Sequence, residues 1–410
     1  MSENKKIIKN NLFEPNLDLP RVYVAAGEGA YKNTLNAIKK IDLSPAKGKK
    51  VLLKPNAGRI ASSGEGITTD PQVVAAAIDA FKQAGADVSV GESPITGVNT
   101  QEAFKATGIA AVARERNCRL IDMDKRPFVS LEIPDGKAIK EIKVCADVFD
   151  HDIIVSIPVM KIHMHTLATL SIKNMKGCLW RRSKVDLHML PMLNDMDEMP
   201  LNVAIADMSG VLRPHLSIID GTVGMEGMGP SGGKAKKLGL VVAGTDAFAV
   251  DSIACRLMGL CAEDIPHLRM GAERGYGIID IEKIKTRPAT WKDLVSPFSP
   301  PPDNLSMEFP EFNILDKNSC SACQSTLILF LKKYGKVIPD YFPENTNISI
   351  AIGKGHDKVP KNTICIGNCM AKFKQEKFVK GCPPVGSEIL KIITGKTSLD
   401  SDKVSMEVKE

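Results

Sequence analysis

The segment "PVMKIHMHTLATLSIKNMKGCLWRRSKVDLH" concentrates the groups best suited to chemistry: Lys161, His163, His165, Lys173, Asn174, Lys176, Arg181, Arg182, Lys184 and His188. Four of the seven histidines of the chain lie between positions 151 and 188. Ammonium groups set beside imidazoles suit an anion, a carboxylate or a phosphate. A blander reading has Lys173 and Lys176 complementing a helix C-terminus and the histidines on the surface. Against it, Lys161 follows a very apolar strand, Asp152 to Ile157, where a solvated face is not expected. Lys161, His163 and His188 are therefore the candidate catalytic or acid–base groups. Two histidines without a nearby carboxylate argue against a dedicated metal site of their own. Downstream, "DGTVGMEGMGPSGGK" follows a strand and reads as a Gly-rich loop that could present backbone amides to phosphate. It matches neither common nucleotide fingerprint. Glu226 lies inside it and is the first candidate carboxylate, with Asp220 and Asp246 behind it; Asp251 divides evenly between a structural and a site role.

Five further cysteines crowd the C-terminal end: Cys320 and Cys323 as C-x2-C, Cys365 and Cys369 as C-x3-C, then Cys382 in "GCPP". In a chain with reduced thiols, such clustering points to metal or to chemistry before disulfides. Zinc takes four ligands, often as two close pairs, which Cys320, Cys323, Cys365 and Cys369 would supply. A four-iron cluster also takes four thiolates, and a Cys followed by Pro recurs among its ligands. A 4Fe-4S cluster is the expected cofactor, with zinc as the alternative. The expected ligands are Cys320, Cys323, Cys369 and Cys382, with Cys365 as the alternative, because "GNC" followed by "GCPP" resembles cluster sites of other redox subunits. The other five cysteines, Cys118, Cys145, Cys178, Cys255 and Cys261, lack metal spacing and read as small buried hydrophobes.

The elements that must position these groups alternate. "RVYVAAG" and "KKVLLKPNAG" read as strands. "TTDPQVVAAAIDAFKQAGA" reads as a helix capped by Thr69 or Asp70, with Pro71 in its first turn, an apolar face of Val73, Val74, Ala77, Ile78 and Phe81, and Gly85 as its stop. "DVSVGES" is a strand, "NTQEAFKATGIAAVARERN" a helix, "CRLIDM" a strand. "TLATLSIKNMKG" reads as a helix ending at Gly177, and "LGLVVAGTDAFAVDSIACRLMGL" as a strand and helix capped by Thr245 or Asp246. The fold class this implies is α/β, a mostly parallel sheet flanked by helices. Lys54, Asn56, Glu92, Lys161, His163, Asp220 and Asp246 then recur at strand C-terminal ends, where open α/β sheets bind ligands. The domains read as an arm over 1–20, the α/β domain over 21–295, a Pro-rich linker over 296–304, and a smaller α+β cysteine unit over 305–410.

Bulk properties bound the function. Of 410 residues, 43% are apolar and 25% charged, which is ordinary for a globular protein. A net charge of +6 is too small and too dispersed to argue for nucleic acid. No secretory signal and no membrane-length apolar run is visible, so a cytoplasmic protein without membrane partners is expected. The partners expected are a small anionic substrate and an electron-donor protein, with a homodimer left open.

"LLKPN", "GITTDP", "GES", "IPVMKIHMHTLATLSIKNMKG", "DLH", "IDGTVGMEGMGPSGG" and "AGTDAFAVDSIACRLMG" together resemble the domain-of-unknown-function family 362 across residues 20–285. The resemblance implies an iron–sulphur-associated protein of anaerobic redox metabolism. It also carries over Lys54, Asn56, Glu92, Lys161, His163, Lys173, Asn174, His188, Glu226, Asp246 and Asp251 as site positions, with Lys54, Asn56, Glu92, Lys173, Asn174 and Asp246 on the substrate side. The chain lacks the C-x2-C-x2-C-x3-C-P run of a ferredoxin module. An iron–sulphur redox enzyme is the leading expectation. A non-catalytic electron carrier is the alternative, and a zinc-stabilised, nucleotide-using transferase or ligase a weaker third.

Overall fold

A computed structural model describes residues 12–13, 18–194, 197–344, 346–374 and 376–399. The expected N-terminal arm falls largely outside them. Its described part includes Phe13, which is buried edge-on to Phe81 with ring centroids 6.4 Å apart. The chain divides into a larger unit, residues 1–227 and 233–300, and a smaller one, residues 228–232 and 301–410.

In the larger unit the strands are β1 (Arg21–Ala26), β2 (Lys50–Pro55), β3 (Asp87–Glu92), β4 (Arg119–Asp122), β5 (Phe128–Glu132), β6 (Glu141–Cys145), β7 (Ile153–Ile157), β8 (Val159–His163), β9 (Leu167–Thr169), β10 (Leu216–Glu226), β11 (Lys234–Gly244) and β12 (Lys285–Arg287). The helices are α1 (Ala30–Ile38), α2 (Pro71–Gln83), α3 (Thr100–Ala106), α4 (Ile109–Glu115), α5 (Ser171–Asn174), α6 (Ser183–Asp186), α7 (Pro200–Ser209), α8 (Ala247–Leu257) and α9 (Pro266–Glu273). One ten-stranded sheet runs β12-β1-β11-β10-β7-β2-β3-β4, with β8 paired to β10 and β9 to β8. It is mostly parallel; β11 runs antiparallel to β1 and β10, and β9 to β8. β5 and β6 form a separate hairpin.

The central strands β2 and β7 bury both faces, which is why they read as continuous apolar runs. Val51, Leu53, Ile153 and Val155 join a core with Val74, Ile78 and Phe81 of α2. The intervening Leu52 and Ile154 join the opposite core with Ile205 of α7 and Phe248 and Ile253 of α8. Asp70 caps α2 by accepting from Gln72 N (2.7 Å), Pro71 opens it, and its expected apolar face is buried throughout.

Three local readings differ from the structure. The helix expected over "NTQEAFKATGIAAVARERN" is two, because Gly108 adopts φ +79° and breaks it into α3 and α4. "TLATLSIKNMKG" is not one helix. Its first residues pair with β8 as β9, leaving α5 and a 3-10 turn over Met175–Cys178. The Gly-rich segment is not a loop up to Glu226. β10 continues through it with a bulge between Gly221 and Val223 and stays paired to β11. Glycine serves close packing there: a Cβ on Gly224 would lie 2.7 Å from both Met160 O and the Phe298 ring.

The smaller unit carries β13 (Phe312–Asp316), α10 (Ser321–Tyr334), β14 (Ile348–Ile352), β15 (Ile364–Ile366), β16 (Lys377–Val379) and α11 (Gly386–Thr394). Its sheet has the order β13-β14-β15-β16 and is parallel throughout.

Candidate functional site

The chain steps outward from β2 to β3 and β4, then returns to place β7 on the other side of β2. That reversal makes the C-terminal ends of β2 and β7 a topological switch point, the standard ligand crevice of open α/β sheets. Lys54 lies opposite Ser156 in this pair. Asn174 spans the two strands, its Nδ2 donating to Lys54 O (3.1 Å) and Ser156 Oγ (3.0 Å). Its Oδ1 accepts from Lys54 Nζ (3.2 Å).

Lys54 and Glu92 form a fully buried ion pair at 2.9 Å, with side chains 1% and 2% exposed. Glu92 also accepts from Ala57 N (2.9 Å) and Ser93 N (3.0 Å). Gly177 closes over this pair: a Cβ there would lie 2.4 Å from Lys54 Nζ and 2.6 Å from Glu92 Oε1. Gly177→Ala is therefore expected to cost about 1–3 kcal/mol, as overpacking against a pair that cannot retreat. Both tryptophans, Trp180 and Trp291, lie in the larger unit, so the urea midpoint of their fluorescence reads this directly. An unchanged midpoint would mean that Lys54 can move aside.

The lysines and histidines gather on β8, α5 and the following turn. Lys161 and His163 sit two apart on one face of β8. Lys161 Nζ donates to Ile67 O (2.8 Å). Burial pushes its ammonium down to about 7, and the Arg59 charge adds to this. Thr169 stands directly across the ladder from Lys161, and its hydroxyl accepts from Lys173 Nζ at 2.8 Å. Burial, then the charges of Lys176 and Lys161, hold the Lys173 ammonium well below its ordinary value. His163 is buried and held well below its usual value by desolvation and by Lys173. Its Nδ1 accepts from His165 N (3.1 Å), which puts the proton of the neutral ring on Nε2. His188, likewise depressed by burial and by Lys176, stands 2.8 Å from Lys176 Nζ through its Nε2.

Asp251 lies behind this cluster. From α8 it accepts from Ser171 N (2.7 Å) and Ile172 N (2.9 Å), so it caps the short helix that bears Lys173 and Asn174. Burial pushes its carboxyl up to about 8. Asp220 accepts from Asp70 N (2.7 Å) and Thr222 N (2.9 Å), joining α2 to β10; burial pushes it up to about 6.

Other expected site residues are engaged elsewhere. Glu226 accepts from Lys236 (3.2 Å) and Ser299 N (3.0 Å) at the far end of β10. Asp246 caps α8 through Phe248 N and Ala249 N. Asn56 contributes backbone: its N–H meets Thr69 Oγ1 (2.8 Å) and Ile157 O (3.1 Å). Cys178 is a buried thiol that desolvation pushes up to about 12, which suits packing rather than reactivity.

Two residues escaped the sequence reading. Arg59 follows β2 in the loop at the crevice, and its position after a strand end was a usable signal. His267 is buried and pushed down to about 3 by desolvation and by Lys173, and its Nδ1 has no hydrogen-bond partner among the described residues. Nothing in "IPHLRM" marks it.

In the smaller unit, the segments following three parallel strands carry Cys320, Cys323, Cys369 and Cys382. Cys320 caps α10 and Cys323 lies in its first turn. Cys323 donates to Cys320, whose thiol is lowered by that bond; Cys323 is correspondingly raised. The charges of Cys369 and Cys382 bear on Cys323, and those of Cys320 and Cys382 on Cys369. The loops after β15 and β16 are stitched by Asn368 N to Gly381 O (2.8 Å) and Gly381 N to Asn368 Oδ1 (2.9 Å). Gly367, at φ +97°, lets this loop approach α10: a Cβ there would lie 3.4 Å from Cys323 Sγ. Cys365 points elsewhere, into a small core with Met370 and Phe373. Among the described residues, no group of three or more His, Cys, Asp or Glu is placed so that it could hold a metal ion. Four thiols are the donor number that iron–sulphur clusters and structural zinc use.

The model of a domain of unknown function (DUF362) matches residues 51–256. The chain belongs to the DUF362 family. The matched stretch contains the whole Lys54–Glu92 pair and the Lys/His cluster, so both are built from DUF362 sequence; residues 301–410 of the smaller unit lie outside it. A thylakoid-associated protein of Synechocystis sp. is 26% identical over 231 residues, covering 56% of this chain and 69% of that protein. Among the described residues of this DUF362 protein, no helix is long and apolar enough to cross a membrane.

Proposed function

We propose that the protein is an iron–sulphur redox enzyme acting on a small anionic substrate. The observation that supports this reading is that the charges of Cys320, Cys369 and Cys382 act on Cys323, and those of Cys320 and Cys382 on Cys369, while Cys365 packs in a small core. Cys320, Cys323, Cys369 and Cys382 would hold a 4Fe-4S cluster, which supplies one-electron chemistry when bound. In the larger unit, Lys161, Lys173 and Arg59 bind and orient the anion. Lys161, with its ammonium near neutrality, is poised to give or take a proton at physiological pH. The neutral His163 presents its Nε2–H as a donor. Glu92 fixes Lys54, and Asn174 fixes the strand ends around them.

Purification without oxygen, followed by iron and acid-labile sulphide determination, tests the cofactor. About four irons and four sulphides per chain are expected, with an EPR signal on reduction. Serine at position 320, 323, 369 or 382 is expected to abolish that signal, and Cys365→Ser to keep it. One zinc with no sulphide would end the redox reading. Alanine at Lys161 or His163 then separates enzyme from electron carrier: an enzyme loses turnover with its cluster intact, whereas a carrier is unaffected.

A further inference from the structure

A buried lysine is ordinarily held against a carboxylate. Lys54 stands 2.9 Å from Glu92, and Lys184 stands 3.8 Å from Asp124. Lys173 departs from this pattern. It is 7% exposed, its Nζ is hydrogen-bonded to the neutral hydroxyl of Thr169 at 2.8 Å, and among the described residues no carboxylate charge bears on it. Burial is the first cause that holds its ammonium well below the ordinary value, and the charges of Lys176 and Lys161 add to it. The side chain is fixed at both ends. Asp251 pins the start of the helix that carries it, through Ser171 N and Ile172 N, and Thr169 holds its tip from β9. Two imidazoles stand near. The charge of Lys173 bears on His163 and on His267, and His267 Nδ1 is buried with no hydrogen-bond partner among the described residues. A buried ring nitrogen without a partner is an exception that calls for a ligand or a water.

We infer that Lys173 is a nucleophile that forms an imine with the carbonyl carbon of a small 2-oxo acid. The inference rests on the reading that this site takes a small anion, and names the class of that anion. A lysine shielded from water, with no carboxylate to keep its proton, presents a free lone pair at a pH where exposed lysines remain protonated. Lys161 and Arg59 meet the carboxylate, and Lys173 orients the substrate through the bond it forms. The step needs no oxidant and no net proton. The Nζ lone pair makes the C–N bond, and one amine proton passes to the carbonyl oxygen, giving a carbinolamine. That hydroxyl then leaves as water with the second amine proton, and the C=N bond remains. His267 Nδ1 is the acceptor left for the carbinolamine hydroxyl.

Reductive trapping tests this. The full chain, purified without oxygen, is treated at pH 7 with cyanoborohydride and either pyruvate or acetaldehyde, and the labelled peptides are read by mass spectrometry. Cyanoborohydride delivers hydride to the C=N bond, which leaves the lysine heavier by the pyruvate less one oxygen. At pH 7 an exposed lysine is neutral in about one molecule in two thousand. Lys173 is therefore expected to take the label at least about tenfold faster than exposed lysines, with a larger preference for pyruvate than for acetaldehyde. Calorimetry with lactate, which has the carboxylate but no carbonyl, reads the anion site separately. Label spread over surface lysines while lactate binds overturns the imine and leaves the anion site standing. Label on Lys161 in place of Lys173 overturns the assignment of the nucleophile. An equal preference for Lys173 with acetaldehyde overturns the 2-oxo acid class. Neither label at Lys173 nor binding of lactate overturns the anion site itself, and the inference with it. Every arm uses the wild-type chain, so no outcome depends on whether a variant folds.

Discussion

Lys54→Met is expected to lower the stability of the larger unit by about 3–5 kcal/mol, the cost of breaking a buried ion pair from one side. The methionine itself fits, being close in length and apolar. The damage is to Glu92, which stays buried at 2% exposure with Ala57 N and Ser93 N as its remaining backbone N–H partners among the described residues. Asn174 also loses the ammonium that its Oδ1 accepts from. The urea midpoint of tryptophan fluorescence measures the loss. The double variant Lys54→Met, Glu92→Leu should recover part of it, because no stranded charge remains. A loss below about 1 kcal/mol in the single variant would mean that water reaches Glu92 and that the pair is not the keystone of the crevice.

Asp251→Ala is expected to be nearly as damaging, by about 2–4 kcal/mol, because it leaves two buried N–H groups of Ser171 and Ile172 without acceptors. It should also slacken the short helix that aims Lys173 and Asn174, and with it weaken anion binding. Asp251→Asn separates charge from shape through pH. The folded carboxyl titrates near 8, above the ordinary carboxylate range, with burial as the cause. The folded state thus holds a proton that the unfolded chain has released, from about pH 4 up to 8. Its contribution to stability is full at the acid end of that window and shrinks as pH rises through it. The wild type should therefore lose ground against Asp251→Asn between pH 5 and 8. Equal pH dependence in the two proteins would show that Asp251 is ionised throughout.

How much of this was legible can be read residue by residue. The strand ends that carry Lys54 and Glu92 were visible, because parallel strands buried on both faces announce themselves as apolar runs with a polar residue at the exit. Lys161 and His163 were visible as alternation. The β9 hairpin was not: "TLATLSIKN" has apolar spacing compatible with a helix, and only pairing with β8 decides otherwise. The glycines of β10 looked like a loop because sequence does not show what approaches them; here Met160 and Phe298 do. Asp246, Asp251 and Glu226 were equivalent as letters. Cap, long-range cap and surface pair are roles assigned by neighbours distant in the chain. In the smaller unit the Gly-Cys punctuation was the ground for preferring Cys369 over Cys365; Cys365 packs with Met370 and Phe373, a placement that its neighbours in space and not its spacing decide.

The loop between Asn56 and Thr69 has a consequence for anyone who wishes to mark this protein. Its base is clipped by Thr69 N to Asn56 O (3.0 Å) and by Thr69 Oγ1. Its far side is held where Gly66 presses on Gly224, a Cβ there lying 2.2 Å from Gly224 O, and where Lys161 takes Ile67 O. Between these anchors the crown from Ser62 to Glu65 is exposed, and Gly64 has open space around it. A peptide tag or a fluorophore inserted at Gly64 would lengthen a loop whose ends are already fixed, at about 0.6 kcal/mol for each doubling of its length. Such a reporter would ride on the same loop that Lys161 holds, placing an optical signal a few residues from the crevice without touching the groups that line it.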